Sequence, residues 1–294
     1  LSVSELCKIA CVSRSGFYQW QRAKPTRAER EKQDKADFEL ILEAYKFRGY
    51  AKGARSIHMR LLHVDILMNL KKIRRLMHKY KLICPIRRVN PYKQMAREMR
   101  TNNVSPNVVN REFLLHGARK ILLTDITYLF YRGGNCCYLS TILDAFTREI
   151  LSYCISESLE VTFVLDTVEM LMNEYGAELD DQTIVHSDQG CHYTSRAFIQ
   201  KLSDASFVQS MSAKGCCWDN APQESFFGHM KQETNFDKCR TIDELKAAVD
   251  DWIDYYNNDR YQWDLAKLSP NEYYEYITTG AYPDTMIHEK SGST

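Results

Sequence analysis

At 294 residues the chain has room for two or three domains, and 44% hydrophobic with 26% charged residues is ordinary for a globular protein with a real core. No apolar run approaches the ~18 residues a membrane-spanning helix needs, and no signal peptide opens the chain, so no membrane association is expected. The net charge of +1 hides a split: residues 1–118 hold 25 Lys and Arg against 10 Asp and Glu, whereas the remainder holds 14 against 28. A basic arm on an acidic body suggests a polyanion-binding half joined to a half with other duties.

Residues 2–22, SVSELCKIACVSRSGFYQWQR, read as two short helices around a turn. Leu6, Ile9 and Ala10 share a face, and Ser13 can cap a second helix carrying Phe17 and Trp20. A helix-turn-helix and a plain helical hairpin fit this stretch equally well. Residues 23–36, charged and containing Pro25, suit a solvated linker or an exposed helix. Next, GARSIHMRLLH is helical, Asn69 can cap the following run, and LKKIRRLMHKY sets Leu70, Ile73, Leu76, Met77 and Tyr80 on one face. Lys71, Lys72, Arg74, Arg75, His78 and Lys79 make the opposite face purely basic, which favours phosphate contacts over an idle surface. Basic residues continue through Arg87, Arg88, Lys93, Arg97 and Arg100 into a connector marked by Pro85, Pro91 and Pro106.

From residue 119 the pattern turns to strands. ILLTDITYLF (121–130), CYLSTILD (137–144) and ILSYCI (150–155) are three of them, with Gly133-Gly134-Asn135 as a hairpin turn. A long amphipathic helix covers 160–175. A short strand then leads into Asp188, followed by a helix near 195–203, a strand at 207–208 and a further helix, which is a mixed α/β order. The ten cysteines include the doublets Cys136-Cys137 and Cys216-Cys217 but no CxxC pair, so they read as reduced thiols without zinc spacing.

Three acids stand out. Asp125 lies mid-strand, where a charge is costly unless paired or metal-bound. Asp188 ends another strand in HSDQGCHYTS. Glu224 begins a helix that Asn220 can cap and whose first turn Pro222 fits; Gly228 and Lys231 follow it at i+4 and i+7 on the same face. Taken singly, Asp125 is a strand Asp bonded to a neighbouring hydroxyl, and Asp188 a turn former. Together, TDITY, HSDQG-x-x-YTS, QSMS-x-KG-x-x-WDNAP-x-ESFFG-x-x-K and YYNN-x-R resemble the DDE transposases and retroviral integrases, and more closely the transposase encoded by the second reading frame of paired-frame bacterial insertion sequences.

The resemblance covers nearly the whole chain. It implies a ribonuclease H-like mixed five-stranded sheet flanked by helices, with N-terminal helix-turn-helix-type regions and a C-terminal helical segment. The expected divisions are a helix-turn-helix-like segment with linker (1–45), a second basic DNA-binding region (46–105), the catalytic core (106–235) and the C-terminal segment (236–294). Asp125, Asp188 and Glu224 map onto the catalytic triad, which would hold two Mg²⁺ ions, with Mn²⁺ able to substitute. Lys231, Lys71, Lys72, Arg74, Arg75 and Arg260 are the expected DNA contacts. His186, Gln189 and Asn220 are expected to support the acids from behind, and Trp218 to lie in the core. The implied activity is cleavage at insertion-sequence ends and strand transfer by a cytoplasmic, nucleoid-associated enzyme. Expected partners are the terminal inverted repeats, target DNA, further copies of the chain, and an upstream-frame DNA-binding partner or frameshift fusion. The competing class is a non-catalytic or domesticated DNA-binding protein, disfavoured because a binder has no use for a buried acid cluster.

Overall fold

The computed structural model describes residues 2–84, 116–212 and 220–283, which fall into two compact units, one within residues 1–84 and one within 85–284. The basic run from Arg87 to Arg100, Trp218 and the doublet Cys216-Cys217 lie outside the described residues.

In the first unit, α1 (Val3–Ile9) is closed by a capping box between Ser2 and Glu5, and α2 (Arg14–Arg22) is capped by Ser13 as its sequence suggests. Their apolar stripe is not buried: Ile9 is 71% and Trp20 61% exposed. The charged stretch after them continues as one helix, α3 (Lys24–Lys46), with Pro25 in the first turn, where a missing N–H costs nothing. Helices α4 (Ala54–His63) and α5 (Leu70–Lys79) are too short to bury a core alone. Ile41 and Ala44 of α3 close it by packing with Ile57, Leu61, Met68, Ile73 and Leu76. The expected boundary between residues 45 and 46 therefore runs through one packed unit.

Helix α3 also changes the basic face of α5. Lys72 meets Asp37 at 2.5 Å, Arg75 meets Asp34 at 2.6 Å, and Lys79 meets Asp34 at 2.8 Å. Hydrogen bonds from Arg75 and then Lys79 hold the Asp34 carboxyl well below the usual carboxylate range. Lys72 and Arg75, expected as DNA contacts, are thus engaged within the protein. Lys71 and Arg74 face outward.

In the second unit, strands β1 (Ile121–Tyr131), β2 (Asn135–Asp144) and β3 (Ile150–Ser156) form an antiparallel meander. The β1–β2 turn uses Gly133 and Gly134 at φ of 69° and 137°, a region open to glycine at no steric cost. Helix α6 (Thr162–Tyr175), β4 (Ile184–Ser187), α7 (Arg196–Asp204) and β5 (Val208–Met211) follow. Both later strands add in parallel, giving the order β3-β2-β1-β4-β5. This is the ribonuclease H-like sheet that the resemblance implies.

Leu122, Ile142, Leu151 and Val185 turn to one face of the sheet and pack with Phe163, Val164, Val168 and Leu171 of α6 and Phe198 and Leu202 of α7. On the other side, α8 (Ala221–Glu233) lies against β1 and α9 (Ile242–Asn258) against β3. Phe226 stacks edge-on to Trp252 and Tyr256 of α9, at 5.2 and 4.9 Å between ring centres, so it joins the two helices. The C-terminal helix α10 (Pro270–Thr279) opens with a capping box between Ser269 and Glu272.

Candidate active site

Strand register brings the first two acids together. Leu122 pairs with Val185 and Leu123 with His186, so two residues further on Asp125 and Asp188 come level on neighbouring strands, which run about 4.8 Å apart. Strand alternation puts Asp125 on the face opposite Leu122, the face that α8 covers, and Asp188, one residue past the end of β4, is near enough for its charge to act on Asp125. Thr141 stands directly across from Asp125 on β2 and accepts a hydrogen bond from Nε2 of the fully buried Gln223. Gln223 thereby pins the first turn of α8 beside Asp125 and delivers its neighbour Glu224 there. Sequence reasoning overlooks both residues, although an amide next to Glu224 and a hydroxyl in mid-strand were usable signals.

Asp125 is half-buried and its Oδ1 accepts from the Ile126 N–H at 2.7 Å. Asp188 and Glu224 are exposed, so the cluster is a surface mouth with one recessed acid, not the buried cluster expected. Oδ1 of Asp188 accepts from the Gly190 N–H at 2.8 Å. A Cβ on Gly190 would stand 2.9 Å from that oxygen, so glycine is required for this pose. Among the described residues no three His, Cys, Asp or Glu side chains converge closely enough to share an ion. Asp125 and Asp188 each turn an oxygen to a backbone N–H instead.

The acids nevertheless feel one another. Burial pushes the Asp125 carboxyl up to about 7; the Ile126 N–H opposes this, Asp188 and Glu224 add to it by repulsion, and Lys231 opposes it. Burial lowers the Lys231 ammonium, while the attraction of Asp125 holds it up. Beneath the acids lies Tyr193, 2% exposed, whose hydroxyl is 3.5 Å from Thr124 Oγ1. Burial and then the Asp125 charge push its ionisation well above the usual range.

Other expected site residues are placed differently. Arg260 makes three hydrogen bonds to Glu233 at 2.8–3.2 Å, and the Glu233 side chain is only 3% exposed. It is a bolt between the end of α8 and the end of α9, not an outward DNA contact. The pair also removes Glu233 as a partner for Lys231. His186 is fully buried with Nδ1 2.9 Å from Ser210 Oγ, and Gln189 donates to the Ser212 carbonyl at 3.2 Å, so both tie the strand end carrying Asp188 to β5. Asn220 occupies the N-cap position of α8 but makes no capping hydrogen bond, because its side chain is turned into the interior, 5% exposed.

Residues 116–217 and 224–276 match two integrase core domain families, and residues 32–89 match an HTH-like domain. Over 276 residues the chain is 33% identical to the transposase InsK of insertion sequence element IS150 from Escherichia coli K12, covering 92% of this chain and 93% of that protein. The chain belongs to the insertion-sequence transposases. It is also 26% identical over 276 residues to the transposase InsF of IS3A from Escherichia coli K12, covering 92% and 93% of the two chains. A 31 kDa protein of insertion element IS600 from Shigella sonnei is 27% identical over 272 residues, covering 92% and 97%. The matched HTH-like segment spans most of α3 with α4 and α5, so this transposase's family boundary follows the packed unit and begins within α3. No helix among the described residues is long and apolar enough to cross a membrane.

Proposed function

We propose that this transposase cleaves DNA at the ends of its insertion sequence and joins the freed 3′-hydroxyl to a target strand. Asp125, Asp188 and Glu224 hold two divalent cations, Mg²⁺ with Mn²⁺ as a substitute. The observation that supports this most is the arrival of Asp188 and Glu224 near Asp125, one by parallel register and the other by the Gln223–Thr141 anchor. The donor set fits the ions: it is all oxygen, suited to hard cations, and the two exposed acids leave room for phosphate. Repulsion among the acids is what a cation would relieve. When bound, such ions activate the attacking oxygen and stabilise the leaving one at phosphorus.

The remaining roles belong to the chain itself. Lys231, two turns beyond Glu224, offers its ammonium to a phosphate or terminal base of the DNA end. His186 and Gln189 brace the strand end that presents Asp188. The helical unit binds the terminal inverted repeats through Lys71 and Arg74, and several copies assemble on the DNA with a target duplex. An upstream-frame DNA-binding segment, as partner or frameshift fusion, and a cytoplasmic, nucleoid-associated setting complete the proposal.

Two tests follow from geometry. A Cβ at Gly228 would meet nothing within 4 Å. Gly228→Ala is therefore expected to raise thermal stability, since alanine is favoured over glycine by about 1 kcal/mol in a helix interior. Joining should nevertheless fall if DNA occupies that space, and unchanged joining would show that no strand approaches here. Neutralising Lys71 and Arg74 together should flatten the slope of log affinity against log salt by up to ~2 units. Neutralising Lys72 and Arg75 should mainly lower stability, because Asp37 loses Lys72 and Asp34 keeps only Lys79 of its two cations. Anisotropy titrations at several salt concentrations read both; equal slopes for the two double variants would contradict the assignment.

A further inference from the structure

Beside the acids the sheet leaves an edge open. β4 pairs with β1 only at Ile121, Leu122 and Leu123, while β1 itself runs on to Tyr131. Along that unpaired stretch, between the end of β1 and the end of α8, lies a pocket of about 570 Å³, a size that suits a small ligand. Its lining includes Tyr128, Phe130, Lys231, Gln232, Asn235 and Asp237.

The chemistry of this lining is mixed in an informative way. Tyr128 and Phe130 are 47% and 57% exposed. Tyr128 is braced edge-on by Tyr138 at 5.2 Å, so its ring is held in place while still open to solvent. Large exposed rings side by side on a strand are a stacking platform, since every nucleobase has a face to offer. Gln232 and Asn235 are exposed amides that can both donate and accept, and Asp237 can accept from an exocyclic amine. A phosphate alone would have no use for the rings and would be repelled by Asp237. Glu233, also in the lining, is occupied by Arg260. Lys231 lines this pocket and also feels the Asp125 charge, so it links the pocket to that acid.

We infer that this pocket takes one unpaired nucleobase of the DNA end, stacked against Tyr128 and Phe130, with Lys231 at its mouth on the adjoining phosphate. The inference rests on the proposed action at DNA ends and adds where the terminal nucleotide goes. Drawing a base out of the duplex at this point carries the next phosphate toward Asp125, Asp188 and Glu224. The pocket therefore sets which phosphodiester reaches the acids.

The test is a cycle of affinities measured with the full chain in Ca²⁺, on duplexes ending in the terminal sequence of its own insertion sequence. A single abasic residue is placed in turn at each of the last few positions. One position is expected to show a loss of about tenfold or more. Tyr128→Ala with Phe130→Ala should lose a similar factor on intact DNA and nothing further on DNA abasic at that position. Both side chains are exposed, so the variant should fold, which its thermal melt verifies. If no position is sensitive, or if the two losses multiply, the pocket does not hold a base. Mg²⁺-dependent joining on the same DNA is read separately: an intact cycle without joining by the unaltered chain would remove the catalytic proposal and keep the pocket.

Discussion

Asp125→Asn, Asp188→Asn and Glu224→Gln should each abolish Mg²⁺-dependent cleavage and joining while leaving binding to DNA ends close to normal. Each change removes one anionic donor from the same ion site, so pairs of substitutions should cost no more than single ones. Asp125→Asn carries a second expectation. In the metal-free protein the Asp125 carboxyl is held up to about 7, above its ordinary value near 3.8. The folded state therefore keeps a proton that the unfolded state gives up between those values, and stability falls as pH rises across that window. Asparagine has no proton to lose, so metal-free Asp125→Asn should gain melting temperature relative to the unaltered chain at pH 8, and gain less at pH 5. A variant that loses joining because it unfolds would instead melt earlier at both pH values. Retention of more than a small fraction of joining by any of the three would remove that residue from the catalytic set.

Arg119→Leu should lower the melting temperature by roughly ten degrees, by removing the cation from an enclosed charge cluster of the sheet unit. The Arg119 side chain is 6% exposed and meets Glu149 at 2.8 Å, Glu178 at 3.1 Å and Asp144 at 3.2 Å. Its guanidinium also lies 4.1 Å from the ring centre of Tyr274 in α10 and 5.0 Å from that of Tyr175 in α6. One side chain thus ties the start of β1 to the β2–β3 turn, to α6 and to the C-terminal helix. Asp144 and Glu149 would be left as buried anions, and breaking such a pair costs about 3–5 kcal/mol, worth about 2–4 °C per kcal/mol in a unit of this size. The loss should shrink at low pH. Burial already raises the Glu149 carboxyl while Arg119 opposes it, so without the arginine Glu149 protonates more readily and sheds its charge. Arg119→Lys should recover only part of the stability, since an ammonium cannot serve three carboxylates as a planar fork does. A shift of under two degrees for Arg119→Leu would contradict this account of the cluster.

The sheet was legible because its signals are local. Apolar and β-branched runs mark β1 to β4, Gly133-Gly134-Asn135 marks the hairpin, and the words around Asp125, Asp188 and Glu224 fix the likeness to the transposases. Charge partners were not legible, because they lie across the chain. The one-sided basic face of α5 suggested phosphate contacts, but the acids that neutralise Lys72 and Arg75 sit on α3, and no periodicity within α5 reports them. Arg260 failed in the same way: Glu233 is 27 residues away, and only the meeting of two helix ends shows the pair. Arg119 gave no signal at all, because its partners Asp144 and Glu178 lie 25 and 59 residues further along the chain. The apolar stripe of α1 and α2 misled in the opposite sense, since periodicity states which residues share a face and not whether that face is covered.

Asp125, Asp188 and Glu224 are proposed to hold divalent cations together. Mn²⁺ titration of the full chain, followed by calorimetry or by paramagnetic resonance of the free ion, tests it without requiring any reaction. Saturable binding is expected, tightening from pH 5 to pH 8 as Asp125 loses its proton and lost or greatly weakened in Asp125→Asn, Asp188→Asn and Glu224→Gln alike. Equal Mn²⁺ binding by the unaltered chain and by all three variants would contradict it.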